Sequence, residues 1–183
     1  MGVTQMVVLG IALALVAWAV VAYNGLVRQR NEIANAFAQI DVQLKRRHDL
    51  VPNLVEAARK YVQHERETLE AVIAARNTAR GIGALAGAEQ MLDGALSRLM
   101  AVVERYPELK ADGTLRELSE ELTHTENRIA FARQAFNDSV LDYNNAAQQA
   151  PANVVAGVFG FRAAAMLQAT SSDAEREVPR IKL

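Results

Sequence analysis

The side chains that could do chemistry in this chain fall into three groups. The first is Glu121-x-x-His124, the spacing that sets two metal ligands on one helical face in di-iron bundles. Such a site needs a second copy of the motif and further inward carboxylates. His48 and His64 stand instead beside Asp49 and Glu65. Solvated surface histidines, with no metal and no cofactor, are the expectation. The second group is the run Lys45-Arg46-Arg47, which could hold an anion, a phospholipid headgroup or a partner. It could equally pair within the chain, with Asp41, Asp49 or carboxylates further on. The third group is Glu126, Asn127, Arg128, Arg133 and Asn137. A carboxylate half-buried beside an apolar seam must be paired, and Arg30, Arg46 and Arg47 are candidates for Glu126. Together, Arg30, Asp41, Lys45, Arg46, Arg47, Asp49, Glu126, Asn127, Arg128 and Arg133 form a candidate interhelical polar network or partner-binding surface.

The chain has no Cys, which excludes thiolate metal sites, a disulfide framework and a cysteine nucleophile. Neither a Ser-His-Asp set nor a phosphate loop can be identified by motif. A formal net charge of −1 gives no reason to expect nucleic acid. The expectation is a protein that is not an enzyme.

The elements that must position these groups read as helices. The chain has 33 Ala, 4 Pro and few aromatics. Leu26, Arg30, Ile33, Phe37, Ile40 and Leu44 repeat at three and four residues, a bundle seam. Pro52 lacks an N–H and disfavours helical geometry at Val51, so a turn near Asp49 or Leu50 is expected; a kinked continuous helix is the alternative. A second helix then runs from about Pro52 to Arg80, through Leu54, Ala58, Tyr61, Glu65, Leu69, Val72 and Arg76. Gly81, Gly83 and Gly87 follow as a loop. A third covers about Ala88 to Tyr106, through Leu92, Leu96, Leu99 and Val103, and stops before Pro107. Thr114 and Glu117 read as a capping box. The fourth helix carries Leu115, Leu118, Leu122, Thr125, Ile129, Ala132, Phe136, Val140, Tyr143 and Ala147 on one face. The expected fold is all-α: an N-terminal transmembrane helix running into an up-and-down antiparallel four-helix bundle.

The mean hydropathy of +0.00 averages two unlike materials. All 20 basic and 21 acidic residues lie beyond Val27. Met6 to Ala22 is an unbroken run of apolar residues and Gly, and Val3 to Tyr23 matches the roughly 20 residues a helix needs to cross a bilayer. Val7, Leu9, Ile11, Leu13, Leu15, Trp18 and Val20 are the anchor residues, with Trp18 and Tyr23 toward one interface. A cleaved signal peptide is the competing reading, but Met1–Gln5 holds no basic residue. Gly10, Ala14 and Ala17 form a small-residue seam that could pair spans. Arg28 and Arg30 follow the span, and the positive-inside rule then puts the bundle in the cytoplasm and the N-terminus outside. Lys45–Arg47 lies about 30–35 Å beyond the span by helical rise.

The expected divisions are an anchor over 1–24, a bundle over 25–150, an apolar helical segment over 151–169 and a flexible polar tail over 170–183. With four alternating helices, the end of the fourth returns to the membrane. Val154, Val155, Val158, Phe159 and Phe161 then become membrane-proximal candidates; the plainer alternative is a short helix packed on the bundle end. Without the turn at Pro52, the count becomes odd and this segment points away.

Several blocks are long and specific. Tyr23-Asn24-x-Leu26-Val27-x-x-Arg30-Asn31 opens the first helix, and Gln43-Leu-Lys-Arg-Arg-His-Asp-Leu-Val-Pro-Asn-Leu-Val55 closes it. Thr125-Glu-Asn-Arg-Ile-Ala-Phe-Ala-Arg133 is followed by Asn137, Val140, Tyr143, Asn144, Pro151 and Gly160-Phe161. From Tyr23 to about Phe161 the chain resembles the LemA family of bacterial membrane-anchored proteins. The resemblance implies one N-terminal span, a cytoplasmic-side bundle, the bacterial inner membrane and no established enzymatic activity. Magnetosome proteins of the same superfamily imply membrane organisation. Phe136 stands where the family usually has Tyr, and Phe37 where it often has Trp. The reading that follows is a membrane-anchored helical scaffold or adaptor, a self-assembling homo-oligomer with coiled-coil character. The alternative is a regulator of another membrane protein such as a protease.

Overall fold

A computed structural model describes residues 2–62, 64–79 and 86–167. Among the described residues there are six helices and no strand: α1 (Val3–Arg59), α2 (Arg66–Ala79), α3 (Ala86–Arg105), α4 (Pro107–Ala111), α5 (Gly113–Gln148) and α6 (Ala152–Phe159). The all-helical class is as the periodicity predicts. Packing divides the chain into two compact units, one of Met1–Ala38 with Ala132–Leu183, the other Gln39–Phe131. The glycines at 81 and 83 and the tail from 170 lie outside the described residues.

The expected turn at Pro52 does not form. α1 continues through it for 57 residues. Pro52 has no N–H to give to the carbonyl one turn back, that of His48, and such a gap costs a helix interior about 3 kcal/mol. Arg76 on α2 fills the gap, its Nε donating to the His48 carbonyl oxygen at 2.7 Å. Val51, Leu54, Val55 and Ala58 flank the proline and are all buried, so core packing on both sides of Pro52 also offsets the local cost. The reversal comes instead between α1 and α2. No Gly or Pro marks it; Val62 turns into the core there.

In the Gln39–Phe131 unit, four longer helical segments and the short α4, through Leu109, contribute to one core. α1 gives Val51, Leu54, Val55 and Ala58; α2 gives Leu69, Val72, Ala75 and Ala79; α3 gives Leu92, Ala95, Leu99 and Val102; α5 gives Leu115 and Leu122. The face expected of the second helix is thus largely buried, though split by the reversal. α3 begins two residues before the expected start and takes in Gly87, and it ends before Pro107 as expected. Pro107 then opens the short α4, whose Leu109 is buried.

The expected capping box does not form. Asp112, not Thr114, caps α5: its Oδ1 accepts the Leu115 N–H at 2.9 Å. Its Oδ2 accepts the Tyr61 hydroxyl at 2.7 Å. Those backbone and hydroxyl donors hold the Asp112 carboxyl below its ordinary value, and the same carboxylate raises the Tyr61 phenol.

In the other unit, α1 and α5 run antiparallel: Leu26 packs with Tyr143, and one helical stretch later Phe37 meets Phe136 edge-on, ring centres 5.9 Å apart. Arg30, expected in this seam, is exposed. Of the segment expected to be helical over 151–169, the described residues end at 167, and among them the helical part is α6. Gly160 ends it in the left-handed region at φ 71°, a conformation glycine adopts without a Cβ penalty. The Phe161 N–H closes back on the Ala156 carbonyl at 2.9 Å.

Candidate functional site

The run Lys45-Arg46-Arg47 is split by helical geometry, since successive residues point about 100° apart. Lys45 stays exposed. Arg46 pairs at the surface with Glu121 of α5. Arg47 is buried and pairs with Glu89 and Asp93, one turn apart on α3. His48 is buried as well, its Nε2 donating to Glu89 Oε1 at 2.9 Å. This corrects the expectation of a solvated histidine: α3 packs against that face of α1 and brings a carboxylate to it. Glu89 lies 42 residues from Arg47, in a Gly- and Ala-rich stretch that carries no motif. The usable signal was the matched pair of pairs, adjacent Arg47-His48 facing Glu89 and Asp93 at i,i+4.

The rest of the expected network is not brought together. Asp41, Asp49, Glu126, Asn127, Arg128 and Arg133 are exposed. Glu126 therefore needs no buried partner; Thr125 takes the core position, its hydroxyl donating to the Glu121 carbonyl at 2.8 Å. Glu121 is engaged by Arg46 while His124 is exposed. Among the described residues no three His, Cys, Asp or Glu side chains converge as a metal site would require. A groove of about 340 Å³ beside Arg47 is lined by Asp93, Ser97, Glu104, Thr123 and Glu126. It mixes both charges with hydroxyls and sets up no paired nucleophile and base.

A second polar assembly belongs to the other unit; the sequence grouped Asn137 with the polar residues of the fourth helix and Tyr143 with its seam, but gave Asn144 no role. The Asn144 side-chain amide makes two bonds to Ala164, both 2.9 Å, one to its carbonyl and one from its N–H. Asn137 does the same to Leu167 at 3.1 and 2.8 Å. Tyr143 donates to the Arg162 carbonyl at 2.9 Å. Residues 161–167 are therefore strapped along α5 in the opposite direction. The spacing fits: seven helical residues rise about 10.5 Å, and three extended residues cover about 10 Å. Asn137 and Asn144 at i,i+7 were the legible signal, two amides on one helix face.

Where α1 emerges from its apolar stretch, Tyr23 meets Phe159 and Phe161 edge-on, with ring centres 4.9 and 5.4 Å apart. Leu26, Tyr143 and Ala156 are buried beneath them. Of the membrane-proximal candidates, Val155 turns inward while Val154, Val158 and Phe159 are exposed. The first part of α1 is long and apolar enough to cross a membrane, and none of that stretch is buried against the fold.

An all-helical chain that leaves such a stretch uncovered is of the membrane-associated class. The chain belongs to the LemA family, whose sequence pattern matches residues 36–183. It is similar to the magnetosome protein MamQ of Magnetospirillum gryphiswaldense, 29% identical over 169 residues, covering 76% of this chain and 62% of that one. Magnetosome proteins MamQ 1 and MamQ 2 of Paramagnetospirillum magneticum are 38% identical over 85 residues, 46% of this chain and 31% of theirs. The chain thus spans less than two thirds of the length of these relatives.

Proposed function

We propose that this protein is a membrane-anchored, non-enzymatic helical scaffold whose copies assemble at a bacterial inner membrane. The observation that carries the reading is α1, one helix whose first part is wholly exposed and apolar and whose later residues Val51, Leu54, Val55 and Ala58 sit in a core. Isolated apolar surface of that extent requires lipid. Arg28 and Arg30 after the span favour a cytoplasmic bundle and an outside N-terminus. Similarity to magnetosome proteins supports a part in organising membranes. Mass measurement of the intact protein in mild detergent tests the assembly: a multimer is expected, and a strict monomer at every concentration and in lipid would refute it.

A second reading, an adaptor for another membrane protein such as a protease, draws on a different observation. Asp41, Lys45, Asp49, Arg128 and Arg133 are exposed and belong to none of the ion pairs among the described residues. Charge reversal at Lys45 and Arg128 should release such a partner in a pull-down while leaving the helical spectrum intact. Retention of the partner would discard that surface.

A further inference from the structure

Exposed apolar side chains on a short helix usually need covering, and α6 carries three of them. Val154 and Val158, one turn apart, are 64% and 74% exposed, while Val155 and Ala156 on the opposite side are 4% exposed each; Phe159, 60% exposed, lies on the side of those two, against Tyr23. The outward face is completed by Asn153 and Gly157 and holds no charge. Indeed no Asp, Glu, Lys or Arg occurs from Tyr143 to Phe161. The position of this face decides what covers it. Phe159 and Phe161 are seated on Tyr23, the last ring of the apolar stretch, and Ala156 packs on Leu26, one turn further along α1. From Val3 to Tyr23 the helix rises about 30 Å, the thickness of the hydrocarbon layer. The ring of Tyr23 therefore marks a bilayer boundary, and α6 lies at its level.

The cations follow the same boundary. Arg28 and Arg30 come within about two turns after Tyr23 on α1, and Arg162 follows the uncharged stretch. Arg30 lines a cavity of about 420 Å³ together with Tyr23, Phe159 and Phe161, so a guanidinium sits just beyond three aromatic rings. An apolar face at the boundary with basic groups on its water side is the pattern of a helix lying in the interface, its side chains about 5–10 Å into the headgroup and acyl border.

We infer that α6 is a second membrane contact: its Val154–Val158 face lies in the same leaflet boundary that the α1 span crosses, beside the headgroups that Arg28, Arg30 and Arg162 would meet. The inference rests on the reading of Val3–Tyr23 as a bilayer span. A helix pierced at one point is free to tilt and to spin about its axis, whereas a second contact held to it through Tyr23 restricts both. Gly160 and the Asn144 and Asn137 clamps then hold the chain leaving α6 against α5.

The full chain lacks cysteine, so single nitroxide labels can be placed through Val158→Cys and Val154→Cys, with Val20→Cys as the in-span reference and Asp138→Cys as the aqueous one. Each is reconstituted in phosphatidylcholine vesicles containing phosphatidylglycerol, and relaxation by oxygen and by a water-soluble nickel complex is compared. Labels at 154 and 158 are expected to favour oxygen, at a depth about 5–10 Å below the phosphates. If they relax like the label at 138, the face is in water and the inference fails. If they are shielded from both reagents, protein covers the face, a second copy or another chain, and the inference fails equally. A water-exposed label at 20 would instead overturn the span itself. Val154 and Val158 are both exposed, so neither substitution removes core packing, and a retained helical spectrum checks each variant.

Discussion

The two units of this molecule use α1 and α5 in opposite ways. In Gln39–Phe131, the helices are joined by α2 and α3, and layers of Leu, Val and Ala close a core with one ion cluster at its edge. In the other unit, α1 and α5 have, among the described residues, only α6 and an extended strap for company, and the buried cluster there joins Leu26, Tyr143 and Ala156. Two helices alone bury too little apolar surface to hold each other firmly in water. There the fold supplements packing with directional bonds, from the amides of Asn137 and Asn144 and the hydroxyl of Tyr143 to backbone. The denser unit carries its polar groups as a charge cluster; the sparser one carries them as clamps.

That contrast can be broken most severely at Arg47. Removing it in Arg47→Ala leaves the buried Glu89 carboxylate with the His48 bond alone and should cost about 3–5 kcal/mol in denaturant unfolding. Replacing Arg47, His48 and Glu89 together by apolar residues of similar size should cost much less, because no charge is then left unpaired. Next comes Arg76→Met, which again orphans the His48 carbonyl. A loss of about 1.5–3 kcal/mol is expected, and a double-mutant cycle with Pro52→Ala should show the loss shrinking once residue 52 can donate its own N–H. Smaller again are the clamps. Asn144→Ala and Asn137→Ala should each cost about 1 kcal/mol, visible as faster amide exchange over 162–167, while exchange in the core of α2 and α3 stays slow. If those core amides accelerate equally, the two units are not held by separate devices.

The smallest effect is a pH dependence at the Tyr61–Asp112 contact. Asp112 has its carboxyl lowered by the Leu115 N–H and the Tyr61 hydroxyl, so its contribution is present above the ordinary carboxylate value of 3.8 and disappears as pH falls through the depressed one. Tyr61 is raised by the same pair, so its contribution is present below 10.0 and disappears as pH rises through the raised value. Tyr61 is exposed and Asp112 half-buried, and the expected signature is fraying of the start of α5 at either extreme, read by amide exchange near Leu115. Asp112→Asn should flatten the acid limb.

How much of this was legible follows from the range of each interaction. The seam of α5 was readable over its whole length, because its period is local: Leu115, Leu122, Thr125, Ile129, Phe136, Val140 and Tyr143 all turn out buried. The proximity of α6 to the end of the apolar stretch was also derivable from alternating helices. Phe159 and Phe161 do meet Tyr23, although the reversal fell between α1 and α2 and not at Pro52. The run at 45–47 was visible as a motif but not its division, since pairing Arg47 with Glu89 requires knowing which helix packs on which face. The asparagine clamps were visible as residues of a resemblance and invisible as a mechanism, because their partners are backbone atoms and carry no residue type.

By itself, then, the sequence determined the helical class, the apolar stretch and the face that α5 buries, since these follow from composition and the 3.6-residue period. Tertiary structure alone decided where the chain turns and which charges are buried. Pro52 shows the reason. Its cost is local and readable, but the Arg76 side chain that answers the His48 carbonyl and the core that packs around the proline come from a helix the chain reaches only later. A helix breaker breaks a helix only when nothing else in the fold satisfies the group it leaves bare.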